Sequence, residues 1–183
     1  MGLPIEIEIW RGEIAELEVD AIVVPANESL FMTAPVAAAV KRVAGEEVER
    51  AAVAQGPIAA GTVVVTAGGR LATPYVVHAV GVGHDLQADA ARLRHAIRAT
   101  LAAVEHLGLA RIALAPLGTE RGVFPPAEAG ELLIDEVIAH AEQGTGSPES
   151  VVVAVSRPDE LRELLGVLDR AERRFAAARA EDR

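Results

Sequence analysis

Residues 111–137 read RIALAPLGTERGVFPPAEAGELLIDEV and contain the signals of a strand, a tight turn and a helix, in that order. The apolar start, Arg111 to Leu114, predicts a buried strand. The helix is predicted from about Pro126, since proline suits the first turn of a helix, to about Glu142. Gly118 and Gly122 lie in the turn between them. A strand that leads through a tight turn into a helix is the repeating unit of α/β proteins.

The alternation of strands and helices continues on both sides of this unit. Apolar runs predict the strands, and apolar residues at helical spacing predict the helices. The further strands are predicted at 5–9, 21–24, 63–65, 75–77 and 151–155, and the further helices at 36–54, 89–107 and 159 to about 177. We therefore expect the α/β fold class, with a mostly parallel central sheet and helices on both faces.

One pair of neighbouring strands departs from this alternation. Residues 63–66 and 75–78 are separated only by a turn at Gly68 and Gly69, so we expect an antiparallel pair and a mixed sheet. The length of 183 residues is typical of one domain. We assign residues 1–170 to that domain and residues 171–183 to a C-terminal helical extension or a frayed tail.

Composition narrows the classes of function. A formal net charge of −10 argues against a nucleic-acid groove, which needs a basic face. The chain has no cysteine, which excludes disulfides and thiolate metal sites, and its histidines lack metal-ligand spacing. No apolar run approaches a membrane span, and the N-terminus lacks a signal-peptide pattern. We expect a cytoplasmic protein with no membrane or nucleic-acid partner, no metal and no cofactor.

Three segments follow predicted buried strands: 25–29, 117–124 and 156–159. In an open α/β sheet, ligands bind outside the carboxyl ends of the strands. Gly118 and Gly122 suit either an anion cradle of backbone amides or a tight connection. Asn27 is either a ligand to a sugar hydroxyl or a turn and cap residue. Phe124 either faces a ligand or plugs the space under the loop.

The catalytic signals of common enzyme classes are missing. No phosphate-binding G-x-x-x-x-G-K-[ST] or G-x-G-x-x-G motif occurs, and no serine lies in a nucleophile-elbow pattern. His78 and His140 lie in apolar surroundings, which is more typical of hydrogen-bonded structural histidines than of ligands. The residues alone thus predict an anion or nucleotide crevice without evident catalytic machinery.

At these residues the chain resembles the macrodomain family, which binds ADP-ribose and related nucleotide metabolites. Three segments match the family's motifs in order, and the resemblance covers about residues 5–168. They are WRGEIAELEVDAIVVPANESL at 10–30, GTVVVTAGGRLATPYVVHAVG at 61–81 and LGLARIALAPLGTERGVFPPAEAGELLIDEV at 107–137. The resemblance implies a three-layer fold with a mixed central sheet between helices.

The family's site is altered in this sequence. Its adenine-reading aspartate falls at Glu13 and its distal-ribose asparagine at Asn27, while Val24 replaces an earlier asparagine. Its first glycine-rich loop corresponds to residues 31–38, which contain no glycine. There, Pro35 lacks an amide donor, and Ala37 stands where many hydrolases of the family have an aspartate.

The second glycine-rich loop is partly kept. Gly118, Thr119, Gly122 and Phe124 match the family, whereas Glu120 and Val123 replace two glycines. The aromatic residue that often flanks adenine falls at Ser156, so that Arg157 is a candidate to stack on the base instead. Glu120 is interpreted as a solvent-facing residue, as a change of ligand specificity or as a general base.

The resemblance implies a binding site for ADP-ribose or a related nucleotide. The implied ligand-binding residues are Glu13, Ile14, Asn27, Pro35, Val36, Gly118, Thr119, Glu120, Arg121, Gly122, Val123, Phe124, Ser156 and Arg157. One alternative is a hydrolase of ADP-ribosylated substrates or ADP-ribose 1″-phosphate, with Asn27, Glu120 or His84 activating water. Another is a scaffold with a closed pocket. The oligomeric state, including a homodimer, stays open.

Overall fold

The computed structural model describes residues 2–83, 85, 87–144, 146 and 148–181. Within them, six strands form one mixed sheet in the order β1-β6-β5-β2-β4-β3. The strands are β1 Glu6–Arg11, β2 Ala21–Ala26, β3 Val63–Ala67, β4 Tyr75–Val80, β5 Arg111–Leu114 and β6 Ser150–Val155. The helices are α1 Pro35–Ala44, α2 Glu46–Val53, α3 Ala90–His106, α4 Pro126–Glu142 and α5 Pro158–Glu181.

The two faces of the sheet are buried by different helices. Along β2, Ala21 and Val23 pack into the cluster formed with α3, α4 and α5, whereas Ile22 and Val24 pack into the cluster formed with α1 and α2. Successive side chains of a strand point to opposite faces, so a continuous apolar run covers both. The result is three layers, helix–sheet–helix, which confirms the predicted fold class.

The pairing of β3 with β4 is antiparallel, and the other described pairs of strands are parallel, as predicted. The pair contains one buried polar contact, with Thr66 Oγ1 3.0 Å from His78 Nε2. Burial lowers the pKa of His78 to about 4, so that the ring is neutral at neutral pH. His78 is therefore a hydrogen-bonded core residue, as predicted.

The largest differences from the boundaries predicted from the sequence concern two helices. The single helix expected over 36–54 is two helices, because Gly45 adopts φ +105° and ends α1 before α2 begins. The last helix continues to Glu181 and not only to about Ala177. Its Ala171 is buried against the main core, and the Arg179 guanidinium lies 4.9 Å from the centre of the Phe175 ring.

None of the helices in the described part of the chain combines the length and the apolar character that crossing a bilayer requires.

Candidate functional site

The carboxyl ends of the parallel strands lie level at one edge of the sheet. Leu114 of β5 is in register with Val23 of β2 and with Val153 of β6. At the outer end, Val155 pairs with Arg11 and accepts a hydrogen bond from the Gly12 amide at 2.9 Å. The connections that leave these strands therefore start side by side, and two cavities lie between them.

The first cavity has a volume of about 410 Å³ and lies beside the start of α1. One wall is formed by Gly12, Glu13 and Ile14, which lead into a short 3-10 helix at Ile14–Glu16. The other walls come from α1, from the connections after β5 and β6, and from the start of α4 and α5. These residues are Pro35, Val36, Ala38, Ala39, Arg42, Ala115, Pro116, Thr119, Glu120, Pro126, Ala154, Val155, Ser156, Glu160 and Leu164.

The second cavity has a volume of about 450 Å³ and lies at the ends of β2 and β4. Its walls are Pro25, Ala26, Asn27, Ser29, Phe31, Thr33, Ala34, Gly81, Val82, Gly83, Gly118, Glu120 and Val123. Glu120 alone lines both cavities in the part of the chain that the structure describes. The site thus has two lobes that meet at the middle of the connection between β5 and α4.

This connection, residues 115–125, is here called the second loop. Gly118 and Gly122 adopt φ +79° and φ +69°, a backbone region that favours glycine. The amides of Gly122 and Val123 donate to Thr119 O at 3.1 Å and Glu120 O at 3.3 Å, which closes a 3-10 helix over Glu120–Gly122.

Within the described residues, the amides of Gly118 and Thr119 have no hydrogen-bond acceptor. Gly118 is buried and lines the second cavity, while Thr119 lines the first. At the boundary of the cavities, the second loop therefore offers these two amides as donors. The amides of Gly122 and Val123 donate to carbonyl groups within the loop.

The connection between β2 and α1, residues 27–34, is here called the first loop. Instead of glycines, it has an anchor: the Met32 amide donates to Glu49 Oε2 at 2.7 Å, and Lys41 Nζ donates to Glu49 Oε1 at 2.8 Å. Burial alone would raise the pKa of Glu49, but the bonds from Lys41 and from the Met32 amide outweigh it and lower that pKa. The first loop is thereby tied to α2.

The first loop lines the crevice and does not fill it. Phe31, Thr33 and Ala34 belong to the wall of the second cavity, and Pro35 opens α1 at the wall of the first. Phe31 is 52% exposed. The closed-pocket scaffold hypothesis predicts a crevice that is filled by the first loop. The two open cavities therefore give this hypothesis no support.

Asn27 lies at the start of the first loop and lines the second cavity. Its Nδ2 donates to Phe31 O at 3.0 Å, which orients the amide group. Its Oδ1 is buried and has no hydrogen-bond donor within the described residues. A buried acceptor without a partner costs free energy, so a donor from a ligand would stabilise it.

The structure places most of the predicted site residues at these two cavities. Glu13, Ile14, Pro35, Val36, Thr119, Glu120 and Ser156 line the first, and Asn27, Gly118, Glu120 and Val123 line the second.

The other predicted site residues lie elsewhere. Phe124 packs against the main core, Gly122 is exposed and lines neither cavity, and Arg157 is paired with Asp159. The side chain of Arg121 and the whole of His84 lie outside the described residues.

The sequence-based prediction included Pro35 and Val36 of α1 but missed the rest of its contribution. Pro35, Ala38, Ala39 and Arg42 recur at helical spacing and form one wall of the first cavity. The spacing was available in the sequence, but it does not reveal which face of α1 turns towards the crevice. Arg42 adds a guanidinium to a lobe that otherwise contains the carboxylates of Glu13, Glu120 and Glu160.

Among the described residues, no group of three or more His, Asp or Glu side chains is arranged to hold a metal ion. The site therefore offers backbone amides, an asparagine, a guanidinium and carboxylates to a ligand.

A six-stranded mixed sheet between two helical layers, with a two-lobed crevice at its carboxyl edge, defines a three-layer α/β architecture. The sequence profile of the Macro domain family matches residues 23–133, which is more than half of the chain. The chain belongs to the Macro domain family.

The chain is also similar to a protein of about twice its length. An uncharacterized protein of Mycobacterium tuberculosis (strain ATCC 25618 / H37Rv) is 34% identical over 174 residues, which cover 95% of this chain and 45% of that protein. The chain thus spans under half the length of this relative.

Two solved structures of the Trypanosoma brucei macrodomain are 26% identical to this chain. The complex with ADP has a TM-score of 0.83 and covers 89% of this chain and 69% of that one. The complex with ADP-ribose has a TM-score of 0.81 and covers 87% and 67%.

Proposed function

We propose that this chain binds ADP-ribose or a related nucleotide in the two-lobed crevice. The adenosine half would occupy the cavity beside Glu13, and the distal ribose would occupy the cavity beside Asn27. The diphosphate would cross the boundary at the second loop. The Trypanosoma brucei macrodomain, which shares the fold, is solved with ADP and with ADP-ribose, and this supports the choice of ligand.

The observation that carries the proposal is the pair of cavities that meet at one loop. Volumes of about 410 and 450 Å³ are each typical of small-molecule pockets. A ligand made of two bulky halves joined by a narrow link matches this shape. The unpaired amides of Gly118 and Thr119 lie at the link, where an anion would accept their hydrogen bonds.

Asn27 supports the assignment of the second cavity to a sugar. Its buried Oδ1 lacks a donor from the described residues, and a ribose hydroxyl supplies one. The loss of the first loop's glycines leaves fewer amides for the diphosphate than the family pattern implies. The proposal therefore predicts binding that depends strongly on filling both cavities.

Titration calorimetry with ADP-ribose, AMP and ribose 5-phosphate tests this proposal. We expect ADP-ribose to bind more tightly than either half, because only the whole ligand reaches both cavities. AMP that binds as tightly as ADP-ribose would contradict a role for the second cavity. No heat and no thermal shift with ADP-ribose at millimolar concentration would contradict the proposal itself.

A second candidate function is hydrolysis of ADP-ribosylated substrates or of ADP-ribose 1″-phosphate. It is favoured by the position of Glu120, which lines both cavities. For an ADP-ribosylated carboxylate, water would attack C1″ of the distal ribose while Glu120 takes its proton. The bond from C1″ to the acceptor oxygen breaks, and the carboxylate leaves. Ala37, where the family's hydrolases often have an aspartate, makes this the weaker candidate.

Hydrolysis of an ADP-ribosylated protein by wild type, Glu120→Gln and Asn27→Ala separates binding from catalysis. A general base predicts a rate loss of roughly a hundredfold in Glu120→Gln without weaker binding. Equal rates in wild type and both variants would remove these catalytic assignments and leave the binding proposal standing.

A further inference from the structure

Among the described residues, no aromatic side chain lines the first cavity, where the proposed function places the nucleobase. The family resemblance implies an aromatic residue beside the base, after the last strand. Ser156 occupies that position and lines the cavity. Arg157, the sequence-based candidate to replace the aromatic, lines neither cavity. Its Nε donates to Asp159 Oδ1 at 3.0 Å, and its Nη2 donates to Oδ2 of the same carboxylate. The Arg157 guanidinium is thus already held by a carboxylate.

Arg42 differs from Arg157 both in its position and in its ion pairing. It lines the first cavity, and within the described residues its guanidinium has neither an ion-pair partner nor a hydrogen-bond acceptor. It is also exposed, so no buried contact holds it in place. An arginine that borders a cavity and has no acceptor is available to a ligand.

The position of Arg42 along α1 indicates which part of a nucleotide it meets. Pro35, at the start of α1, adjoins the first loop, and Arg42 lies two turns further on, about 10 Å away at ~1.5 Å per residue. The helix contacts the Ile14–Glu16 turn, which adjoins Glu13. Ala34, directly before α1, lines the second cavity, so Arg42 lies at the end of the α1 wall that is further from that cavity.

The residues between these two points are small. Ala38 and Ala39 form the α1 wall between Pro35 and Arg42, and Gly12 lies at the wall that contains Glu13. Small side chains leave room for a flat ring beside the helix. A guanidinium plane at the end of that wall can lie over such a ring, through cation–π attraction and planar stacking.

We infer that Arg42 covers the face of the nucleobase and is a specificity-determining residue of the first cavity. This inference rests on the proposed function, since it assigns a role within the same nucleotide site. In this account Arg42, from the α1 wall, replaces functionally the aromatic side chain that Ser156 does not supply. The ligand class is a nucleotide with a stacked base, whatever its distal sugar carries.

Titration calorimetry with ADP-ribose on wild type, Arg42→Ala, Arg42→Lys and Arg157→Ala tests this inference. We expect Arg42→Ala to weaken binding by roughly threefold to thirtyfold. Arg42→Lys keeps the charge but lacks the planar guanidinium, so it should recover less than half of the binding free energy that Arg42→Ala loses. Arg157→Ala removes the same charge from a side chain outside the cavity and should change affinity by less than about twofold.

The outcomes separate this inference from the proposed function. Wild-type protein that fails to bind ADP-ribose overturns the proposed function and this inference together. Wild type that binds while Arg42→Ala binds equally well overturns only the role of Arg42. Full recovery in Arg42→Lys would also overturn it, because a point charge would then suffice. Equal thermal unfolding midpoints of the variants show that the changes act on binding and not on folding.

Discussion

The first and second loops leave neighbouring parallel strands and border the same crevice, yet different interactions hold them in place. The second loop keeps Gly118 and Gly122 in left-handed backbone conformations. The first loop has no glycine and is anchored by a carboxylate of α2, through the bond from the Met32 amide to Glu49. One loop depends on backbone freedom and the other on a charged side chain.

This difference indicates which of the two loops can offer backbone amides to an anion. A loop with glycines can turn amides towards a ligand, and the amides of Gly118 and Thr119 remain without acceptors in the described residues. In the first loop, the Met32 amide is already bonded to Glu49. Pro35, which follows the loop, has no amide hydrogen to donate. The second loop is therefore the one that faces the diphosphate in our account, although it also carries Glu120.

The largest effect on ligand affinity is expected from substitution of Glu120, whose carboxylate would repel an anion at the second loop. A carboxylate about 4 Å from a phosphate costs around 4 kcal/mol at an effective dielectric constant of 20. We expect Glu120→Gln to tighten ADP-ribose binding by roughly tenfold to several hundredfold, measured by calorimetry.

Glu160→Gln is the matched control for this change. Glu160 lines only the first cavity, and its neutralisation should change affinity by less than about threefold. Equal effects of the two substitutions would show that Glu120 does not face the diphosphate.

The next effect concerns the glycines of the second loop. A methyl group at Gly118 would lie 2.8 Å from Leu93 Cδ2, whereas at Gly122 no atom lies within 4 Å. Both positions have positive φ, so Gly122→Ala should cost about 1 kcal/mol of unfolding free energy and Gly118→Ala about 3 kcal/mol. Denaturant unfolding measures both. Equal costs would mean that packing against Leu93 plays no part in the shape of the loop.

We expect the anchor of the first loop to contribute slightly less to the unfolding free energy. Glu49→Ala leaves the Met32 amide without its acceptor and should lower the unfolding free energy by about 2 kcal/mol. Glu46 also contacts Lys41, at 3.2 Å, but its side chain is 71% exposed, so Glu46→Ala should cost less than about 0.5 kcal/mol. Similar losses in the two variants would contradict an anchoring role that is particular to Glu49.

The smallest effect is the pH dependence of this anchor. Because the pKa of Glu49 is lowered by folding, the stabilisation by its charge is complete at neutral pH. It is lost as pH falls from about 4.5 through the folded-state pKa. The difference in unfolding free energy between wild type and Glu49→Gln, about 1 kcal/mol at pH 7, should therefore shrink towards pH 3. A difference that stays constant or grows on acidification would be inconsistent with the charged anchor.

Much of the fold follows from short-range patterns in the sequence. Residues 111–114 and 126–142 were predicted as strand and helix, and the structure has them at Arg111–Leu114 and Pro126–Glu142. The boundaries are clear there because an apolar run ends at a glycine-containing turn and proline opens the helix. The break at Gly45 was missed because apolar residues keep helical spacing across it, and a positive φ leaves no periodic signal.

The composition of the site was less predictable, since side-chain direction depends on tertiary contacts. Arg157 seemed suited to the crevice by its position after β6, but its ion pair with Asp159 was not evident from spacing. Arg42 has no distinguishing signal in the sequence, because only the tertiary placement of α1 brings it to the first cavity. The cavities join residues from opposite ends of the chain, such as Gly12 and Leu164, which no local pattern relates.

A crystal structure of the protein with ADP-ribose tests the central claim most directly, because it locates each half of the ligand. We predict adenosine in the cavity beside Glu13 and Arg42, and the distal ribose in the cavity beside Asn27. The diphosphate should lie within hydrogen-bond distance of the Gly118 and Thr119 amides. ADP-ribose bound outside these two cavities, or with its diphosphate turned away from the second loop, would contradict the account.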